Sequence, residues 1–87
     1  MAAVVMYLRE SCPYCHRARQ LLRSKGVAWD EIDLDREPQR RAEMIDRTGR
    51  HTVPQVFVGD THVGGSDDLA RAEDSGALDR LLAGGGA

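Results

Sequence analysis

The chain is short of several things, and each shortage removes a class of function. No apolar run in its 87 residues approaches the roughly 20 needed to cross a bilayer. The opening MAAVVMYLRE lacks a basic leader and a full apolar core, so it does not read as a secretion signal. Charge of one sign is also scarce. The formal net charge is −2, with acids and bases interleaved, which offers no electrostatic hold on nucleic acid or a membrane surface. Repeats, internal linkers and low-complexity segments are missing. What is left is 41% hydrophobic and 30% charged, the composition of a globular chain and far from disorder. Residues 1–87 have room for a single domain, with a core over about 3–82 and a frayed tail at 83–87. A cytoplasmic location is expected.

The scarcest informative residue is cysteine. Cys12 and Cys15 are the only two, and both fall within ESCPYCHRAR. A disulfide scaffold needs more of them, and a bridge across two intervening residues closes almost no loop, so as a staple it would contribute little. A structural zinc needs four ligands and the pair supplies two. His16, His51 and His62 could complete a set, but they lack zinc-finger spacing and there is no second cysteine pair, so no metal site is expected. A pair that forms and breaks a disulfide is the favoured reading, provided the surrounding fold suits it.

Local patterns supply that fold. AAVVMYL (residues 2–8) is a valine-rich apolar run, the mark of a buried strand. Cys15, Ala18 and Leu22, with Leu21, then make an apolar stripe at helical spacing, leaving Arg17, Arg19, Gln20 and Arg23 for the wet face. Gly26 stops this helix, with Lys25 near its negative end. Residues 27–35 read as a second strand, and Glu37–Thr48 as a second helix with Pro38 in its first turn, Met44 and Ile45 inward and Gly49 at its end. Residues 53–65 form a hairpin turning at Gly59-Asp60. A final helix breaks near Ser75-Gly76 and resumes with Leu78, Leu81 and Leu82. The order β-α-β-α-β-β-α predicts an α/β fold, with a parallel pair joined by a right-handed crossover and a hairpin added to the same sheet.

In that order the cysteines stand at the first strand–helix junction, where C-x-x-C carries redox chemistry. Cys12 precedes the helix, where unpaired N–H groups and the positive dipole end favour an anion and hence a thiolate. Pro13 presets the first turn without losing a hydrogen bond. Cys15 lies one turn deeper, which makes Cys12 the attacking sulfur and Cys15 the resolving one. A stabilised thiolate is more abundant but intrinsically less nucleophilic, so its advantage lies mostly in leaving a mixed disulfide. Two further stretches stand out. Thr52-Val53-Pro54, taken alone, suits the start of an edge strand. In Gly64-Gly65-Ser66-Asp67-Asp68 the glycines allow close backbone approach, and Ser66 or Asp67 is expected to cap the next helix.

Together, CPYC, TVPQVF and GGSDDL at this spacing resemble a dithiol glutaredoxin of the bacterial type, a small member of the thioredoxin-fold superfamily, over about Ala3 to Leu82. The resemblance implies a thioredoxin-like four-stranded mixed sheet with flanking helices. It implies a glutathione-dependent thiol–disulfide oxidoreductase that reduces protein disulfides and glutathione mixed disulfides. Glutathione would be the electron donor and not a tightly bound cofactor. Disulfide-bonded or glutathionylated proteins would be partners, with glutathione reductase acting indirectly and the chain working as a monomer. By the same resemblance the Val53-Pro54 bond is cis, and the Thr52–Pro54 loop presents the Val53 backbone to a bound thiol peptide. Gly65, Ser66, Asp67 and Asp68 would receive its γ-glutamyl end, while Arg9 with Arg40 or Arg41 would meet its glycine carboxylate. Tyr14 would cover the bound thiol. Ser66 stands where many relatives carry a third cysteine. His16 is expected on the surface, His51 at the border of the site, and Trp29 and Tyr7 in the core or at its edge. Two rivals remain: an electron donor served by thioredoxin reductase, and a dimer holding an iron–sulfur cluster between two Cys12 thiolates and two glutathiones. Pro13 works against the second by stiffening the loop.

Overall fold

Strand β1 (Val4–Leu8) is apolar at every position because both of its faces are covered. Val4, Met6 and Leu8 point into one layer and Tyr7 into the other, as a period of two requires. The computed structural model describes residues 2–84. β1 pairs in parallel with β2 (Asp30–Asp33) and antiparallel with β3 (Gln55–Val58), which pairs antiparallel with β4 (Thr61–Gly64). The strand order is β2-β1-β3-β4, a four-stranded mixed sheet of the expected kind.

One layer is closed by three helices. α1 (Pro13–Ser24) contributes Cys15, Ala18 and Leu22, while α3 (Ser66–Ser75) and α4 (Ala77–Leu82) add Leu69, Leu78 and Leu82 against Met6, Leu8, Val56 and Val58. The other is closed by α2 (Arg41–Thr48), whose Met44 meets Tyr7, Ile32, Leu34 and Phe57. Burying each of the Val, Leu, Ile, Met and Phe side chains among these contributes about 1.5–3 kcal/mol. Lys25, just past α1, bonds Glu73 of α3 and, at 2.9 Å, Asp79 of α4, tying three helices together.

Several boundaries differ from those expected. β2 spans four residues because β1 offers partners only from Val5↔Asp30 to Leu8↔Asp33. The second helix does not begin as an α-helix at Glu37. Pro38–Arg40 is a tight 3₁₀ turn, closed by the Arg40 N–H on the Glu37 carbonyl at 2.9 Å, and α2 follows it. Arg19 does not lie on the wet face. Its side chain is 16% exposed, held between Glu31 and Glu10 at 2.6 and 2.9 Å. Neither Ser66 nor Asp67 caps α3. Gly65 is the cap residue, and Asp68 in the first turn accepts its N–H at 3.0 Å. Ala83 and Gly84 remain tied to α4 through Asp79 and Leu81, so the expected tail starts later, and residues 85–87 lie outside the described residues.

Tyr7 is fully buried, yet its hydroxyl is satisfied. It donates to the Glu43 carboxylate and accepts from Arg47 Nη1 at 2.9 Å, while the Arg47 guanidinium lies 4.0 Å above the Phe57 ring. Burial, followed by the bond to Glu43, pushes the phenol above its ordinary range. Tyr7 and then Arg40 hold Glu43 below the usual carboxylate range. Tyr7→Phe should lower the urea-unfolding free energy at pH 7 by about 1–2 kcal/mol, and a loss under about 0.3 kcal/mol would show that the bond adds nothing net.

Candidate active site

The site grows from the first turn of α1. An N-cap position usually carries an oxygen; here it carries sulfur. Cys12 is extended at φ −90°, ψ 112°, Pro13 follows at the first helical position, and the Cys15 N–H donates to Cys12 Sγ at 3.2 Å. Cys12 Sγ also lies 3.7 Å from the Val53 carbonyl oxygen, so in its thiol form it donates there. Cys15 is fully buried in the layer beneath α1, whereas Cys12 is half-buried and reaches the surface. Burial first, and the contact with Cys12 second, push the Cys15 thiol up to about 12. One sulfur is placed to meet a partner and the other is held back as a covered thiol.

The Thr52–Pro54 loop faces these sulfurs. The Val53-Pro54 bond is cis, and Val53 packs against both core layers. A cleft opens on each side of this residue. The larger, of about 570 Å³, is lined by Arg9, Asp35, Arg41, His51, Thr52 and Val53. The smaller, of about 340 Å³, is lined by Tyr14, Arg50, Pro54, Gly65, Ser66, Asp67 and Asp68, again with Thr52 and Val53.

Of the residues expected to meet a bound tripeptide, all but Arg40 line one of these clefts. Arg9 bonds Asp35 at 3.0 Å and keeps most of its side chain in solvent. Arg41 reaches the His51 carbonyl at 3.4 Å. Arg40 is the exception: it is turned to Glu43 at 3.0 Å and Glu37 at 3.5 Å, and lines neither cleft. Tyr14 is 53% exposed with the Arg17 guanidinium 5.3 Å from its ring centre. His16 is exposed and bonds the Glu10 carbonyl at 2.8 Å.

The double glycine is required by a close approach. Gly64 has φ +119°, and a Cβ there would overlap the Asp68 side chain, 2.7 Å from its Cβ and Cγ and nearer still to its carboxylate. A Cβ on Gly65 would lie 3.3 Å from the Pro54 carbonyl, which brings the helix start against the proline loop. Asp68 accepts from Arg50, from the Gly65 N–H and, at 2.7 Å, from Arg71. Arg50 and the Gly65 N–H are the main causes that hold its carboxyl down to about 2. Sequence reasoning missed Arg50 and Asp35. Neither carries a periodic signal, since each matters only through a partner brought beside it by the fold.

Among the described residues no helix is long and apolar enough to cross a membrane, and no group of three or more metal-ligating side chains forms. The profile of the glutaredoxin family matches residues 4–63. The chain is 52% identical to Glutaredoxin 3 of Escherichia coli strain K12 over 82 residues, 94% of this chain and 99% of that one. It resembles the solution structure of a glutaredoxin from Brucella melitensis at 54% identity with a TM-score of 0.82, covering 94% of this chain and 89% of that one. The crystal structure of a buckwheat glutaredoxin–glutathione complex is similar at 32% identity with a TM-score of 0.90, covering 99% and 81% of the two chains. With its thioredoxin-like sheet and its paired cysteines at the start of the first helix, this chain belongs to the glutaredoxin family, whose general activity is thiol–disulfide exchange.

Proposed function

We propose that the chain is a glutathione-dependent thiol–disulfide oxidoreductase in which Cys12 attacks and Cys15 resolves. The observation that carries this is the half-buried Cys12 sulfur capping α1 beside Val53, the residue that lines both clefts, with Cys15 sealed below it. The attacking sulfur stands at the start of α1, where the Cys15 N–H is directed at it. Ionisation removes the hydrogen that the Val53 carbonyl accepts, and the main-chain N–H of a docked peptide takes its place.

Glutathione then lies extended across Val53, its cysteine pairing with the Val53 N–H and C=O like an added strand. Thr52 and Pro54 shape the floor and Tyr14 lies over the sulfur. The glycine carboxylate turns to Arg9 and Arg41, since Arg40 is already bonded to Glu43 and Glu37. The γ-glutamyl carboxylate meets the free N–H groups of Ser66 and Asp67 at the start of α3, beside Gly65. Its amine turns to the exposed Asp67 carboxylate, because Asp68 is saturated by Arg50, Gly65 and Arg71. Asp68 therefore builds the turn that holds the ligand's end.

The chemistry is two successive exchanges. Cys12 thiolate attacks the glutathione sulfur of a mixed disulfide, the old S–S bond breaks, and the substrate leaves as a thiolate that takes a proton from water. A second glutathione thiolate attacks the glutathione sulfur now on Cys12, releasing glutathione disulfide and restoring the Cys12 thiolate. With a protein disulfide, Cys12 forms a mixed disulfide with one of its sulfurs. Cys15, giving its proton to water, then attacks Cys12, the mixed disulfide breaks and the protein leaves as its dithiol; two glutathiones reduce the resulting Cys12–Cys15 bond and depart as glutathione disulfide.

Two outcomes are expected. In a coupled assay with a glutathione mixed disulfide, Cys12→Ser should lose at least about a thousandfold in activity while Cys15→Ser stays within about threefold of wild type. Equal losses in the two variants would contradict the division of roles. For Asp68, the folded pKa of about 2 lies below the unfolded value near 3.8, so its contribution to stability is complete above pH 4 and disappears as pH falls toward 2. Asp68→Asn should accordingly be less stable than wild type at pH 7, with the gap closing over that acid window in unfolding curves. A gap independent of pH would contradict the assignment.

A further inference from the structure

Strand β3 begins with Gln55, the one buried amide or charged side chain among the described residues. A buried amide is costly unless both of its ends are bonded. Gln55 Nε2 donates to the Thr52 carbonyl at 3.1 Å, and Oε1 lies 2.7 Å from His62 Nε2. A carbonyl can only accept, so Thr52 dictates which way the amide faces. The Gln55 oxygen then faces His62, which must carry a hydrogen on Nε2. The imidazole is itself held against Phe57, ring centres 5.0 Å apart.

The bond between Thr52 and Val53 is trans, the only cis bond of the described residues being the next one. In a trans peptide the C=O and the following N–H point in opposite directions. Gln55 draws the Thr52 carbonyl inward, so the Val53 N–H points outward, where no acceptor from the described residues meets it. We infer that Gln55 is a positioning residue for docking: its grip on Thr52 turns the Val53 N–H toward the main-chain carbonyl of the bound tripeptide, and His62 locks the Gln55 amide in that orientation. This rests on the docking at Val53 proposed above.

S-methylglutathione, which cannot undergo exchange, is the probe. Its Kd and the Val53 amide shift are read by NMR, and alkylation of Cys12 by iodoacetamide reports on the sulfur alone. Gln55→Met should raise Kd about five- to tenfold, the size of one net hydrogen bond, while alkylation stays within about twofold. His62→Phe, which keeps the ring against Phe57, should raise Kd about two- to threefold, and the double variant should bind no more weakly than Gln55→Met alone. An unchanged Kd in Gln55→Met, equal changes in Kd and alkylation, or additive losses in the double variant would each overturn the inference. Should Gln55→Met not fold, His62→Phe decides alone: a raised Kd with normal alkylation supports it and an unchanged Kd overturns it. If the wild-type Val53 amide does not respond to the probe, the docking mode itself is wrong. If it responds and Gln55→Met binds equally well, only the positioning role is.

Discussion

Every N–H in the first turn of a helix needs an acceptor from outside the helix, and for Cys15 that acceptor is the Cys12 sulfur, 3.2 Å away. Much of the molecule serves this contact. Cys15, Ala18 and Leu22 anchor α1 on the sheet, which fixes where its first turn ends and therefore where the sulfur stands. The same arrangement makes the two cysteines unequal. The capping sulfur is at the surface beside the helix's positive end, while its partner is buried in an apolar layer that disfavours its charge.

Opposite the sulfur, the proline loop is the place where the two core layers meet. Val53 touches both of them and separates the two clefts. Its backbone is thus presented from a loop packed against both layers. Gln55 pulls the loop inward from β3, and Gly65 abuts the Pro54 carbonyl from the side of α3. A ligand that pairs with the Val53 backbone would meet a nearly preformed surface, which reduces the ordering cost of binding.

The ion pairs divide into two groups by position. Lys25 with Glu73 and Asp79, and Arg19 with Glu10 and Glu31, join separate elements and line neither cleft. Arg9 with Asp35, and Arg50 with Asp68, lie in the cleft walls, where each holds a cation next to open space. Exposed pairs of this kind are worth little as stabilisers. Asp68 goes further than the others, since its carboxylate also bonds the Gly65 N–H and so sets the turn at the start of α3.

What could be read directly from the chain was local. The apolar run of β1, the helical stripe through Cys15, Ala18 and Leu22, the breaks at Gly26, Gly49 and Gly76, and the placing of the cysteines at a strand–helix junction all follow from short-range sterics and from apolar patterning. The element order then left few topologies. Tertiary structure alone decided that Arg41 and not Arg40 lines a cleft, that Arg19 is drawn off the wet face, that Asp68 meets Arg50, and that Gln55 links Thr52 to His62. Those contacts depend on strand register and on which turn of a helix faces its neighbour. Both are settled by how whole elements pack, and no stretch of sequence a few residues long contains that information.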